Sequence, residues 1–149
     1  MFLFFLILCF GAAAIGQHFT LPSIPSWYAQ IEKPSFNPPN WIFGPVWTFL
    51  YFTMAISAWW IWKKVGFSFL ATLVFLLQLS LNVLWSVFFF GWHRPDLALI
   101  NIFFLWFSIG LTLFVFYKID KKAGLILIFY WIWVSFAALL NYSIWKLNS

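Results

Sequence analysis

Phe67–Phe90 reads FSFLATLVFLLQLSLNVLWSVFFF and contains no Asp, Glu, Lys, Arg or His. A bilayer core is crossed by about 20 mostly apolar residues, and lipid offers the backbone no hydrogen bonds, so such a run folds as a transmembrane helix. Four further runs meet the same requirement: Phe2–Phe19, Trp41–Trp62, Leu97–Tyr117 and Ala123–Trp145. Each break has a local cause. Lys63, Lys64 and Gly66 end the second run, and Gly91, His93, Arg94, Pro95 and Asp96 end the third. Lys118, Asp120, Lys121, Lys122 and Gly124 separate the last two. A transmembrane barrel would show strands of about ten residues with alternating polarity. That pattern is absent, so the expected fold is an all-α membrane protein, a bundle of five transmembrane helices forming one domain over residues 1–149.

Composition agrees with the runs. Hydrophobic residues make up 65% of the chain and charged residues 7%, against about 25% charged in a soluble domain. The net charge of +5 comes from eight Lys and Arg that lie between or beside the apolar runs. In that position they set topology and meet lipid headgroups. They form no basic face, so a nucleic-acid partner is excluded. Cys9 is the only cysteine, and no Cys/His set has metal-ligand spacing, so neither an intrachain disulfide nor a metal site is expected. The first run lacks a basic n-region and exceeds a signal-peptide core in length, so it reads as a transmembrane helix.

Lys63, Lys64, Lys118, Lys121 and Lys122 fall on the side of the N-terminus, and Lys33, Arg94 and Lys146 on the other. Five against three favours a cytosolic N-terminus. The connection 20–40 carries five of the seven prolines, Pro22, Pro25, Pro34, Pro38 and Pro39, together with Trp27, Tyr28 and Phe36. Proline lowers the entropy lost on ordering. The segment therefore reads as a shaped lid over the bundle, or alternatively as a connector lying among headgroups. Gly44-Pro45 opens the second span, where a missing N–H is tolerated.

The 12 Trp and 22 Phe exceed what two interfacial belts need. Trp47, Trp85, Trp106 and Trp133 lie in mid-span, where rings can wall a cavity for a flat apolar molecule. No ionisable residue lies deep in a span, which argues against a proton-coupled pump and against acid–base catalysis. Uncharged polar residues form helical stripes: Gln78, Asn82, Trp85 and Phe89; Asn101, Ser108 and Thr112; Tyr130, Trp133, Ala137 and Asn141; Trp47, Tyr51 and Met54. Each reads as interhelical glue or as a cavity wall. The Trp-bearing stripes favour the cavity. Ala12 and Gly16 form a small-xxx-small pair that permits close packing within the bundle or dimerisation. Leu140, Tyr142 and Lys146 match a pattern proposed for sterol contact.

The run Trp27–Tyr51 (WYAQIEKPSFNPPNWIFGPVWTFLY), with Gln78–Gly91 (QLSLNVLWSVFFFG) and Trp133–Asn148 (WVSFAALLNYSIWKLN), resembles the translocator protein family. Its members are also called tryptophan-rich sensory proteins or peripheral benzodiazepine receptors. The resemblance covers nearly the whole chain. It implies a five-helix bundle, commonly a homodimer, with the first loop capping a pocket. Family members bind porphyrins, cholesterol in animals, and synthetic isoquinoline and benzodiazepine ligands. Carried over by motif, the pocket would include Tyr28, Trp47, Tyr51, Asn82, Trp85, Trp133 and Ala137. Some bacterial members are reported to break down protoporphyrin in light through two pocket tryptophans, which map to Trp47 and Trp133. Two positions depart from the family pattern. Phe129-Tyr130 stands where a Pro-Tyr pair is usual, and Asn101 where an acid is common.

The implied ligand is protoporphyrin IX or another tetrapyrrole, with no cofactor required. Asn82 and Asn141 would bond its edge, and Lys33, Arg94 and Lys146 would pair with its propionates. The implied activity is binding, transport or light and stress sensing. Porphyrin photodegradation and sterol binding are the alternatives. The implied location is a bacterial cell-envelope membrane, or the mitochondrial outer membrane in a eukaryote.

Overall fold

The computed structural model describes residues 1–149 and contains helices without strands. Helix α1 covers Phe2–Ser23 and runs on through a π-helical turn, Ile24–Tyr28. Helix α2 covers Asn40–Val65. Helix α3 covers Phe69–Ser86 and also ends in a π-helical turn, Val87–Gly91. Helix α4 covers Pro95–Ile119, the short α5 Lys121–Leu125, and α6 Ile128–Leu147. Five segments are long and apolar enough to cross a membrane: Phe2–Tyr28, Asn40–Val65, Phe69–Gly91, Pro95–Ile119 and Lys121–Leu147.

The ends follow from local chemistry. Gly66 stops α2 with φ +66°, a conformation glycine adopts without a Cβ clash. Ser68 caps α3 by accepting from the Ala71 N–H at 3.4 Å. Pro95 starts α4, where its missing N–H costs nothing. Asp120 caps α5 by accepting from the N–H groups of Lys122 and Ala123 at 2.9 and 3.2 Å. Gly124 has no room for a side chain, since a Cβ there would stand 2.5 Å from that of Tyr117.

The first helix is longer than its sequence suggests. It passes through Pro22 and Pro25 and takes up nearly half of the expected lid, through Tyr28. Proline removes an intrahelical bond. Here the chain widens into a π turn just after Pro22, and the Ser26 hydroxyl donates to the Pro22 carbonyl at 2.7 Å. The connection to α2 is correspondingly short. Helix α2 starts at Asn40, so Pro45 sits inside it rather than at its opening. The fifth span begins at Lys121, and the turn at Ile126–Leu127 interrupts it without any proline at Phe129.

Buried polar groups tie the bundle together. Thr112 donates to the Val74 carbonyl at 3.0 Å, Asn101 Nδ2 to the Leu81 carbonyl at 2.9 Å, and Ser57 to the Ala123 carbonyl at 2.6 Å. The Asn101–Thr112 stripe is thus glue between α4 and α3, and no carboxylate is needed at Asn101 for that bond. Gly16 of the small-residue pair packs on Ser86 of α3, where a Cβ would come within 3.2 Å of the hydroxyl oxygen. The pair serves packing inside this bundle.

Candidate ligand-binding site

At the end of the bundle away from Lys63, Lys64 and Lys118, the helices enclose a cavity of about 390 Å³. That volume falls within the range of small-molecule sites, roughly 300–1,000 Å³. Tyr28, Trp47, Tyr51, Asn82, Trp85, Trp133, Ala137 and Asn141 all line it, as does Leu140.

The floor is a hydrogen-bonded chain across three helices. The Tyr51 hydroxyl donates to Asn82 Oδ1 at 2.8 Å, and Asn82 Nδ2 donates to the Tyr130 hydroxyl at 2.7 Å. All three residues are buried. Trp47 leans on this floor, with its ring 5.8 Å from Tyr51 and 6.4 Å from Tyr130. One wall is fixed by Trp85, whose Nε1 donates to Asn141 Oδ1 at 2.9 Å, while Asn141 Nδ2 donates to the Pro95 carbonyl at 2.8 Å. Asn82 and Asn141, expected to bond a ligand's edge, are therefore each already bonded to protein partners through oxygen and nitrogen. Each amide oxygen keeps one lone pair for a ligand. Trp133 Nε1 is buried without a partner. It is the one indole donor of the cavity wall that the protein leaves unsatisfied in this way.

The roof is built by the two π turns. Trp27 meets Phe89 edge-on at 5.6 Å and stacks on His93 at 4.6 Å, and Tyr28 meets Phe90 at 5.7 Å. Gly91 permits this approach, since a Cβ there would stand 2.8 Å from the Phe19 ring. Residues 31–39 continue over the top and are pinned at several points. Lys33 Nζ donates to the carbonyls of Tyr28 and Ile31 at 2.7 and 3.0 Å. The Tyr28 hydroxyl donates to Asn37 Oδ1 at 3.2 Å. Asn148, past the end of α6, clasps the Glu32 backbone from both sides. It accepts from the N–H and donates to the carbonyl, each at 2.9 Å.

Several expected residues stand elsewhere. Trp106 lies outside the cavity, 4.9 Å from the Trp131 ring, and its Nε1 donates to the Ser135 hydroxyl. Gln78 and Met54 are buried below the cavity floor against each other. Lys33 is spent on lid carbonyls, Arg94 is paired with Asp96, and Lys146 lies over the Tyr142 ring. None of the three cations lines the cavity. Leu140 is buried on the cavity wall while Tyr142 is exposed, so the sterol pattern does not form one surface. Conversely, Phe10, Ala13, Gln17 and Thr20 of α1 and Phe43 of α2 line the cavity although the sequence does not mark them, and Gly44, marked only as the start of a span, lines it too. Ala13, Gln17 and Thr20 follow helical spacing, a signal that reading α1 as a stripe would have caught.

The family model described as TspO/MBR matches residues 5–146. The chain is 42% identical over 145 residues to the tryptophan-rich protein TspO of Archaeoglobus fulgidus, covering 96% of this chain and 92% of that one. It is 35% identical over 148 residues to the tryptophan-rich sensory protein of Cereibacter sphaeroides, with 99% and 91% covered. It is 33% identical over 138 residues to the human translocator protein, with 90% and 82% covered. A five-span membrane protein with these matches along its length belongs to the TspO/MBR family.

Proposed function

We propose that the cavity binds a planar, largely apolar tetrapyrrole such as protoporphyrin IX, and that the protein carries or senses this pigment in its membrane. The observation that supports this most is the wall itself. Trp47, Trp85 and Trp133 surround one space together with Tyr28, Tyr51 and Phe89, while Ala137 and Gly44 leave room between them. Ring faces attract a flat π-system, and the free Trp133 Nε1 and the spare amide lone pairs suit a few polar atoms on its edge. The names of two relatives, sensory protein and translocator protein, fit carriage or sensing. The test is a titration of the purified protein with protoporphyrin IX in the dark, followed by tryptophan fluorescence. Saturable quenching is expected, weakened at least tenfold by Trp47→Phe with Trp133→Phe. Absence of saturable quenching would end the tetrapyrrole reading.

A second reading, light-driven breakdown of the bound pigment, draws on the contact of Trp47 with Tyr51 and Tyr130. The excited pigment would take one electron from Trp47, these rings would share the resulting hole, and dioxygen would be the co-reactant that accepts the electron and oxidises the pigment. Product formation under illumination that survives the same double substitution would remove it.

A further inference from the structure

The cavity is walled unevenly. Tyr28, Tyr51, Asn82, Phe89, Ala137, Leu140, Asn141 and Ile144 are all buried, so its back, toward α3 and α6, is closed. Its front is not. On α1 the lining residues Ala14, Gln17 and Leu21 are exposed, and on α2 so are Trp41, Gly44 and Thr48. Leu21 is 63% and Trp41 73% exposed although both line the cavity.

These residues face one another across one gap. Lower down, α1 and α2 are joined by rings: Phe2 on Trp59 at 5.1 Å, Phe5 on Trp62 at 6.5 Å and Phe10 on Tyr51 at 6.2 Å. The antiparallel register set by Phe2–Trp59 and Phe10–Tyr51 continues upward to bring Ala14 level with Thr48, Gln17 with Gly44, and Leu21 with Trp41. Above the Phe10–Tyr51 pair the rings give way to Ala14 beside Thr48 and Gln17 beside Gly44, before the bulkier Leu21 and Trp41 at the top. A Cβ built on Gly44 would meet no atom within 4 Å. Over this stretch the gap extends down the helices for about two turns, roughly 10 Å at 1.5 Å per residue. Its lower part therefore opens on the flank of the bundle, where an apolar helix surface meets lipid.

The top is shut by contrast. The Asn148 clasp on Glu32, the Lys33 cap and the Tyr28–Asn37 bond hold residues 31–39 over the roof. Gln17 sits exposed at the rim of the gap, within α1, and its side-chain amide makes no hydrogen bond to another residue. Its amide is free to meet a polar group on a passing ligand.

We propose that the cavity exchanges its ligand sideways with the bilayer, through the α1–α2 gap, while the lid stays latched. This rests on the reading of the cavity as the ligand site and adds the ligand's source: a molecule already partitioned into the membrane.

The experiment uses the full chain in lipid nanodiscs. Protoporphyrin IX is supplied in donor vesicles of the same lipid, at a concentration where collision with the protein is rate-limiting, and tryptophan quenching is followed in time. Gly44→Phe and Ala14→Phe plug the gap from its two sides, and Asn148→Ala releases the lid. The plugs are expected to slow both association and release at least tenfold, with a smaller change in affinity. The lid variant is expected to change either rate by less than twofold. Plugged variants that bind at the original rate, or a tenfold acceleration in Asn148→Ala, would overturn the proposal. A second readout needs no porphyrin. Phospholipids with brominated tails quench tryptophans that the bilayer reaches. The contribution of Trp47 is the difference between the chain and Trp47→Phe. That contribution is expected to be present and to vanish in Gly44→Phe. Its absence from the unsubstituted chain would sink the side entrance whatever the cavity binds, whereas failed porphyrin binding with Trp47 quenched would remove only the ligand.

Discussion

The two ends of the bundle use the same residue types to opposite effect. Near the lysines, Phe2, Phe5, Trp59 and Trp62 touch one another, and Phe75 stacks on Phe116 at 6.1 Å with an interplanar angle of 13°. Near the lid, Trp47, Trp85 and Trp133 surround a space of about 390 Å³. Aromatic content alone therefore does not mark a site. What separates the ends is the size of the neighbours. Where bulky rings oppose each other they fill the bundle. Where Ala13, Gly44 and Ala137 stand among them, the rings wall a cavity.

The largest expected effect lies at the filled end. Phe116 is about 1% exposed and sits over Phe75. Phe116→Ala removes a buried ring from a close-packed region and is expected to cost about 3–5 kcal/mol of stability. Thermal unfolding in detergent checks this. Protoporphyrin affinity of the folded fraction is expected to stay within about twofold, because Phe116 does not line the cavity. A large loss of affinity would show that the two ends are coupled.

The converse substitution is Ala137→Leu. It adds three carbons to a cavity wall that is not filled by protein. Stability is expected to fall by less than the roughly 1–3 kcal/mol that extra methylenes cost in a well-packed core. Affinity is expected to fall at least tenfold, about 1.4 kcal/mol, because the added volume occupies ligand space. Equal losses in stability and binding would mean that the space belongs to the protein's own packing.

How much of this contrast the sequence carries depends on which signal marks each residue. The spans are legible because charges and glycines interrupt long apolar runs, a pattern that lipid enforces. Trp47, Asn82, Trp85, Trp133 and Ala137 are legible because their spacing places them on helix faces. Trp106 has the same mid-span position, but its face turns toward Trp131 on the outside of α4 and α6. Periodicity gives a face without saying what that face meets. Pro22 and Pro25 mislead for a related reason. They mark a break when read locally, yet the π turn and the Ser26 hydroxyl carry the helix past them. The part played by α1 is hidden by its near-uniform apolarity, in which only Gln17 and Thr20 mark the inner rim. The Asn148 clasp on Glu32 joins residues 116 positions apart, beyond any local pattern.

The smallest expected effect separates the ends by pH. The chain has three acidic residues, Glu32, Asp96 and Asp120. Asp120, at the lysine end, accepts from the Ala123 N–H, pairs with Lys64 Nζ at 3.3 Å and accepts from the Lys122 N–H. These partners, the Ala123 N–H foremost, hold its carboxyl below the ordinary carboxylate range. A carboxyl whose folded pKa lies below its unfolded value, about 3.9, stabilises the fold fully above that value. The stabilisation is lost as pH falls through the lower folded value. Melting temperature should therefore hold from about pH 7 to 5 and decline below about pH 4. Asparagine caps a helix as well as aspartate does. Asp120→Asn should thus keep the start of α5 while losing the bond to Lys64 and the proton that titrates. The acid decline should become shallower, with little change at pH 7, because an exposed ion pair contributes little there. Any decline that remains belongs to the Arg94–Asp96 pair at the lid end, where the bond from the Arg94 guanidinium holds the Asp96 carboxyl down at about 2. If the substitution leaves the whole decline in place, acid acts through the lid end, and the lysine end is held by its rings and the α5 cap without help from charge.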